Sequence, residues 1–227
     1  MEDQKLPIMS LCNGCSETLK AANHELHNNA AELKHVNSQL GKINTKYHGT
    51  TQVRHFVEVL YEEIGVDTIK SMVVQPLKNL KVAIHVGCHY NRPSEILQGE
   101  DAFEPHYAAD ICKALGATVV EYEEANLCCS AGVARIDEDT SAGMLKRKFE
   151  SIQDEEADVI VVNCPTCFQQ LETGQRSVKK KYEIDLKLPI IYITELMAIA
   201  FGADIDSLGM KFHVVKPLKL FKDKLIL

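Results

Sequence analysis

Residues 158–171 read DVIVVNCPTCFQQL, and their reading decides the fold. Val159 to Val162 form a short, β-branched, unbroken apolar run, the pattern of a strand buried on both faces of a parallel sheet. Pro165 is pre-organised for the first position of a helix. Cys164 therefore precedes a helix and Cys167 lies in its first turn, at the carboxyl end of a strand. Three further runs of the same kind are KVAIHVG (81–87), ATVVEY (117–122) and PIIYI (189–193). Helical segments lie between them, EPHYAADICKALG (104–116) and DTSAGMLKRKFESIQDEEA (139–157), the latter with Met144, Leu145, Phe149 and Ile152 as its inward stripe. Thr194 is the expected N-cap of a last helix through LMAIAFG. The alternation predicts an α/β fold with a parallel βα-type sheet and cysteines at the carboxyl ends of its strands.

A helical segment precedes the sheet. Leu19, Ala22, Leu26, Ala30, Leu33, Val36 and Leu40 recur at steps of three and four, predicting one helix with a single apolar face that Gly41 ends. VRHFVEVLYEEIG (53–65) predicts a second, stopping at Gly65. A boundary near Pro76 to Lys81 divides the chain into 1–78 and 79–227. No internal repeat, low-complexity stretch or Gly/Ser linker is evident. The basic, apolar tail, GMKFHVVKPLKLFKDKLIL (209–227), is expected to pack on the body as a strand or helix, or else to dock another subunit.

The chain has 227 residues, 25% charged and 45% hydrophobic, with a formal net charge of −7. At roughly 150 residues per domain this is about one and a half domains. The acidic balance argues against nucleic acid as the main partner. No run reaches the ~18 apolar residues of a transmembrane segment, and MEDQKLPIMS is too polar for a signal peptide, so the expected location is cytoplasmic. Eight cysteines without a secretion signal then imply reduced thiols available for metal or redox chemistry.

Cys88 follows the first strand, Cys128 and Cys129 the second, and Cys164 and Cys167 the third, with 39 and 34 residues between the groups. Functional groups of open α/β sheets gather beyond the strands' carboxyl ends, so the five thiols are expected to meet at one edge. Soft thiolates at one locus suit zinc or an iron–sulfur cluster. Ser130, Ala131 and Gly132 form a small-residue turn whose amides can approach sulfur. Cys112 lies inside a helix and reads as core. Cys12 and Cys15, in LCNGCS, are half a zinc site, a redox pair, or ligands completed from elsewhere.

The pattern of Cys88, Cys128, Cys129, Cys164 and Cys167 resembles the cysteine-rich CCG domain, and GCHYNRPSE around Cys88 resembles the B-subunit family of the methanogen heterodisulfide reductases. The resemblance implies two such domains in tandem, each holding a noncubane 4Fe-4S cluster through five cysteines. The pair of clusters holds and splits CoM-S-S-CoB in methanogenesis, with electrons from the A and C subunits of the multi-subunit complex. It makes 79–227 one complete domain and 1–78 the remnant of a first, with Cys12 and Cys15 its closing pair; the preceding three cysteines would lie upstream of Met1. Ser130 stands where the family has glycine, and its hydroxyl is expected to reach cluster sulfur. His85 and His89 flank Cys88, where a histidine relays a proton or is simply structural; Arg92 and Arg135 are expected either to contact the anionic coenzymes or to be solvated. Rival readings are the iron–sulfur electron-transfer subunit of a glycolate, lactate or succinate-type dehydrogenase, a zinc-stabilised binding module, and a thioredoxin-like exchanger built on CPTC.

Overall fold

In the computed structural model, which describes residues 2–225, two parallel sheets organise the chain. The first pairs β1 (Ile8–Ser10) with β2 (Val53–His55), Ser10 opposite His55. Between these strands run α1 (Asn13–Asn28) and α2 (Ala30–Leu40). β2 passes directly into α3 (Phe56–Glu58), which continues π-wound over Val59–Ile64 and is followed by α4 (Val66–Ser71). The second sheet contains β3 (Lys81–His85), β4 (Thr118–Val120), β5 (Val159–Val162) and β6 (Ile190–Tyr192), all parallel in the order β4-β3-β5-β6. The four predicted strands are thus present.

The crossovers are helical, as parallel pairing requires. Short α5 (Cys88–Asn91) and α6 (Ser94–Leu97) precede α7 (Tyr107–Ala114). Short α8 (Ala131–Ala134) precedes α9 (Glu138–Asp154). Then come α10 (Pro165–Tyr182), α11 (Ile193–Ala200) and α12 (Leu218–Leu225). β5 explains its own composition. Val159 and Val161 join a core with Leu80, Val82, Ile111 and Leu196, whereas Ile160 and Val162 join one with Leu145, Phe149 and Leu171 on the opposite face. Burial of each such side chain contributes about 1.5–3 kcal/mol.

The helices α9 and α10 approach closely at Gly174, where an added Cβ would stand 2.3 Å from Cδ1 of the buried Leu145. Gly174→Ala is therefore expected to destabilise the chain by about 1–3 kcal/mol through overpacking, against the up to ~1 kcal/mol that alanine gains inside a helix. Urea unfolding measures it, and a more stable variant would overturn the packing argument.

Four expectations need correction. The single N-terminal helix is two, because Asn29 is extended (φ −124°, ψ 90°) and its side chain accepts from Glu32 N–H at 3.1 Å, capping a new helix. Its apolar stripe stays half-buried or exposed; the buried residues of α1 are Asn13 and Ser16. Val53 to His55 are strand and not helix, since β1 supplies a parallel partner. Thr194 is not an N-cap; helix α11 starts at Ile193, where Glu195 Oε2 accepts from Tyr192 N–H at 2.8 Å. The tail packs as helix, with Phe221 and Met210 fully buried; its last two residues, 226 and 227, lie outside the described residues.

The fourth correction is an internal repeat. The order β1, Cys12, α1, β2, α3, with α2 inserted between α1 and β2, parallels β5, Cys164, α10, β6, α11. Cys12 (φ −144°, ψ 130°) and Cys164 (φ −138°, ψ 126°) are equivalent N-caps. Ser10 opposite His55 matches Val162 opposite Tyr192, and each second strand ends on a backbone N–H that donates to a glutamate three residues on, Glu58 or Glu195. Between IMSLCNGCSETL (8–19) and IVVNCPTCFQQL (160–171) only the first isoleucine, the two cysteines and the last leucine are shared.

Candidate functional site

The carboxyl ends of β3 and β5, the loop after β4 and the start of α10 surround a cleft of about 580 Å³. Cys88, Cys128, Cys129, Cys164 and Cys167 all line it, none in a disulfide. Local backbone puts them there. Gly87 (φ +87°) turns the chain from β3 into α5, and a Cβ on it would meet Asn13 Nδ2 at 2.5 Å and Cys167 Sγ at 3.1 Å, so only glycine fits. Pro165 occupies the start of α10 as predicted.

The sulfurs form a connected set. Cys88 and Cys128 are 3.5 Å apart, Cys128 interacts with Cys129, Cys129 with Cys167, and Cys167 with Cys164. Thiols of Cys129 and Cys88 donating to it hold Cys128 down to about 2, with Ser130 N–H adding at 3.3 Å. Cys164 is held down to about 5, first by the Cys167 thiol and then by backbone N–H groups at the helix start. The thiols that share these protons are pushed up: Cys88 by Cys128, Cys129 to about 11 by Cys128, and Cys167 by Cys129 and Cys164. Such a set exchanges its shared protons for a metal. Five soft donors in a largely buried cradle fit an iron–sulfur group, and exceed the four that zinc takes.

The flanking groups divide. His85 is fully buried, neither ring nitrogen has a hydrogen-bond partner among the described residues, and its ligating atoms lie within 4.8 Å of those of Cys129 and Cys167. Burial, then the charge of Lys148, keeps it neutral down to about pH 3. His89 is exposed at the cleft wall. Arg135 lines the cleft, but Arg92 turns away to donate to Asn126 C=O at 3.0 Å. The Ser130 hydroxyl does not reach toward sulfur. Its backbone is left-handed (φ +64°), which explains why glycine suits the position, and its Oγ pairs with Ser141 Oγ at 2.7 Å.

Cys12 lies 4.0 Å from Cys164, half-buried and raised to about 11, first by burial, while Cys15 is exposed. Neither lines the cleft. Cys112 is fully buried in α7, pushed up to about 12 by burial. Sequence reading missed Asn13, whose Nδ2 donates to Val86 C=O at 2.7 Å and ties α1 to the cleft wall. It also missed Lys148, one turn beyond Leu145 on the inward stripe of α9, where a charged residue in an apolar position was the available signal. A groove of about 680 Å³ between α1 and β2 carries no cysteine, and its Lys20, Arg54, Glu58 and Glu62 are paired with one another.

The family profile of the CCG cysteine-rich domain matches residues 82–172. The B-subunit of the ferredoxin:CoB-CoM heterodisulfide reductase of Methanosarcina mazei is 34% identical over 220 residues, 96% of this chain and 73% of the relative. A heterodisulfide reductase B-subunit-like protein of Archaeoglobus profundus is 32% identical over 92% of this chain and 71% of its own length. The 8-methylmenaquinol:fumarate reductase membrane anchor subunit of Wolinella succinogenes is 33% identical over 96% of this chain and 76% of the relative. Among solved structures, a hypothetical protein from Helicobacter pylori shares the fold, with a TM-score of 0.68 at 16% identity, over 86% of this chain and about a third (35%) of that one. Identity at this level over most of both chains, together with thiols clustered as an iron–sulfur group needs them, means that the chain belongs to the heterodisulfide reductase B-subunit family.

Proposed function

We propose that the chain is the iron–sulfur subunit of a cytoplasmic heterodisulfide reductase complex, in which Cys88, Cys128, Cys129, Cys164 and Cys167 hold one noncubane 4Fe-4S cluster. Residues 79–227 would form the complete cluster domain. Residues 1–78 would be the closing part of another, with Cys12 and Cys15 as ligands of a second cluster completed from elsewhere. The observation that carries the reading is the convergence of five thiols from three sequence-distant segments on one cleft. When bound, such a cluster supplies one-electron steps and iron sites with affinity for thiolate sulfur.

The chain's own residues set the conditions. Burial of Cys129, Cys164 and Cys167 limits water at the cradle. Arg135 places a positive charge on the cleft wall, suited to the sulfonate or phosphate of the coenzymes. His89, exposed at the same wall, is the group positioned to give a proton to a departing thiolate. The net reaction takes CoM-S-S-CoB, two electrons and two protons to two thiols, with electrons from the A and C subunits.

A second reading, an iron–sulfur electron-transfer subunit of a succinate-type enzyme, is favoured by the similarity to the Wolinella fumarate reductase subunit. Anaerobic purification followed by iron analysis and CoM-S-S-CoB reduction by the assembled complex separates the readings. The proposal expects a brown protein and disulfide-dependent electron consumption that His89→Ala lowers by about 10²–10⁴-fold, the span of general acid catalysis, with the cluster spectrum unchanged. Iron without disulfide reduction transfers the assignment to the second reading, and a colourless zinc protein defeats both.

A further inference from the structure

Lys148 is among the largest fully buried side chains of the described residues, and it is an amine. It projects from α9 beneath the cysteine loop. Its Nζ donates to Glu124 C=O, and more weakly to Ala125 C=O at 3.4 Å, and stands 5.2 Å from the centre of the Tyr122 ring. Tyr122 is in turn fixed by donating to Ile84 C=O at 2.9 Å. No carboxylate among the described residues comes within 4.0 Å of this ammonium; the Glu124 side chain is paired with Arg147. A buried charge without an ion-pair partner costs several kcal/mol unless negative charge lies near. The anion-forming groups acting on Lys148 are Glu124 and then Cys129, Cys128 and Cys167, three of the five thiols of the cleft. They favour its charged form while burial opposes it, and the amine is lowered to about 8. On the other side, the neutral His85 of β3 also feels its charge.

Carbonyl oxygens and a ring face hold an ammonium in place but do not neutralise it. The geometry points to a pre-set counter-charge: we propose that Lys148 is a positioning residue whose fixed ammonium raises the reduction potential of the iron–sulfur centre held by Cys128, Cys129 and Cys167. The inference rests on the functional reading above. Its physical basis is that a positive charge in a poorly screened interior favours the form of a neighbouring group with one more electron.

The test is a redox titration, followed by electron paramagnetic resonance, of the full-length protein loaded with iron. Lys148→Met keeps length and apolar volume but removes the charge, and is expected to lower the equilibrium constant for reduction about tenfold, or about 59 mV for one electron. Lys148→Arg, which keeps the charge, is expected to stay within about twofold of the unmodified protein. Glu124→Gln guards against a Lys148→Met chain that fails to fold: it removes a negative charge beside the ammonium without touching it. It is expected to move the equilibrium the opposite way by about twofold, or about 18 mV. A purely structural role for Lys148 would not give shifts of opposite sign. Unchanged potentials in folded, iron-loaded Lys148→Met, or a fall in Glu124→Gln, overturn the inference. Absence of iron from the unmodified protein would instead defeat the functional reading on which it rests.

Discussion

A Cys129→Ala chain is expected to lose its iron. Cys129 is the link of the sulfur set, interacting with Cys128 on one side and Cys167 on the other, and it is only 4% exposed. Removing it separates the thiols of the β4 loop from those of the CPTC helix. Changes to groups that merely orient ligands cost about 10–100-fold in metal affinity, so loss of this thiol is expected to exceed about 100-fold. Iron per chain and visible absorbance after anaerobic reconstitution measure the effect, with circular dichroism to confirm folding. Cys112→Ala, which alters the core and not the cleft, serves as the control and should retain full iron. Unaltered iron content in Cys129→Ala would remove the cleft from consideration as the cluster site.

Glu58→Ala is expected to lower stability by about 3 kcal/mol. Glu58 is buried where α1, β2 and α3 meet. Its Oε1 accepts from Lys20 Nζ at 2.7 Å, and its Oε2 accepts from His55 N–H at 2.9 Å and Arg54 Nε at 3.3 Å. Lys20 also donates to Leu97 C=O at 3.0 Å, so the network ties the N-terminal unit to α6. Removing one member of a buried pair leaves the other charge uncompensated and typically costs about 3–5 kcal/mol. Partial exposure of Lys20 and the alternative partners of Arg54, Glu62 and Glu63, place the expected loss near the lower end, about 3 kcal/mol. The urea midpoint measures it. A loss below about 1 kcal/mol would mean that the network is solvated in solution and does not hold the two units together.

The parallel sheet was legible because β5 is buried on both faces, which leaves an apolar run that no amphipathic element produces. The cleft was legible because cysteine spacing follows the βα unit, so residues far apart in the chain return to one edge. Other features were hidden for physical reasons. Val53 to His55 are extended through pairing with β1, a contact that local periodicity does not encode. Asn29 interrupts a stripe that would otherwise support one long helix, because its side chain caps the next one. The hydroxyl of Ser130 was expected at sulfur because it stands where the family has glycine, but at a positive φ it pairs with Ser141 instead. Lys148 was concealed by the usual expectation that lysine is exposed.

The two strand–cysteine–helix units are not interchangeable parts. In the second copy, Phe168 follows the closing cysteine and stacks on Tyr192, with ring centres 4.6 Å apart. The first copy has Ser16 at the matching place, 3% exposed, and His55 in place of the tyrosine, its ring meeting Tyr90 edge-on at 4.8 Å. Transplanting 164–171 into 12–19 would force a phenyl ring into a site that holds a hydroxymethyl group. The two units are therefore like the sides of an asymmetric joint, which can be assembled in only one way.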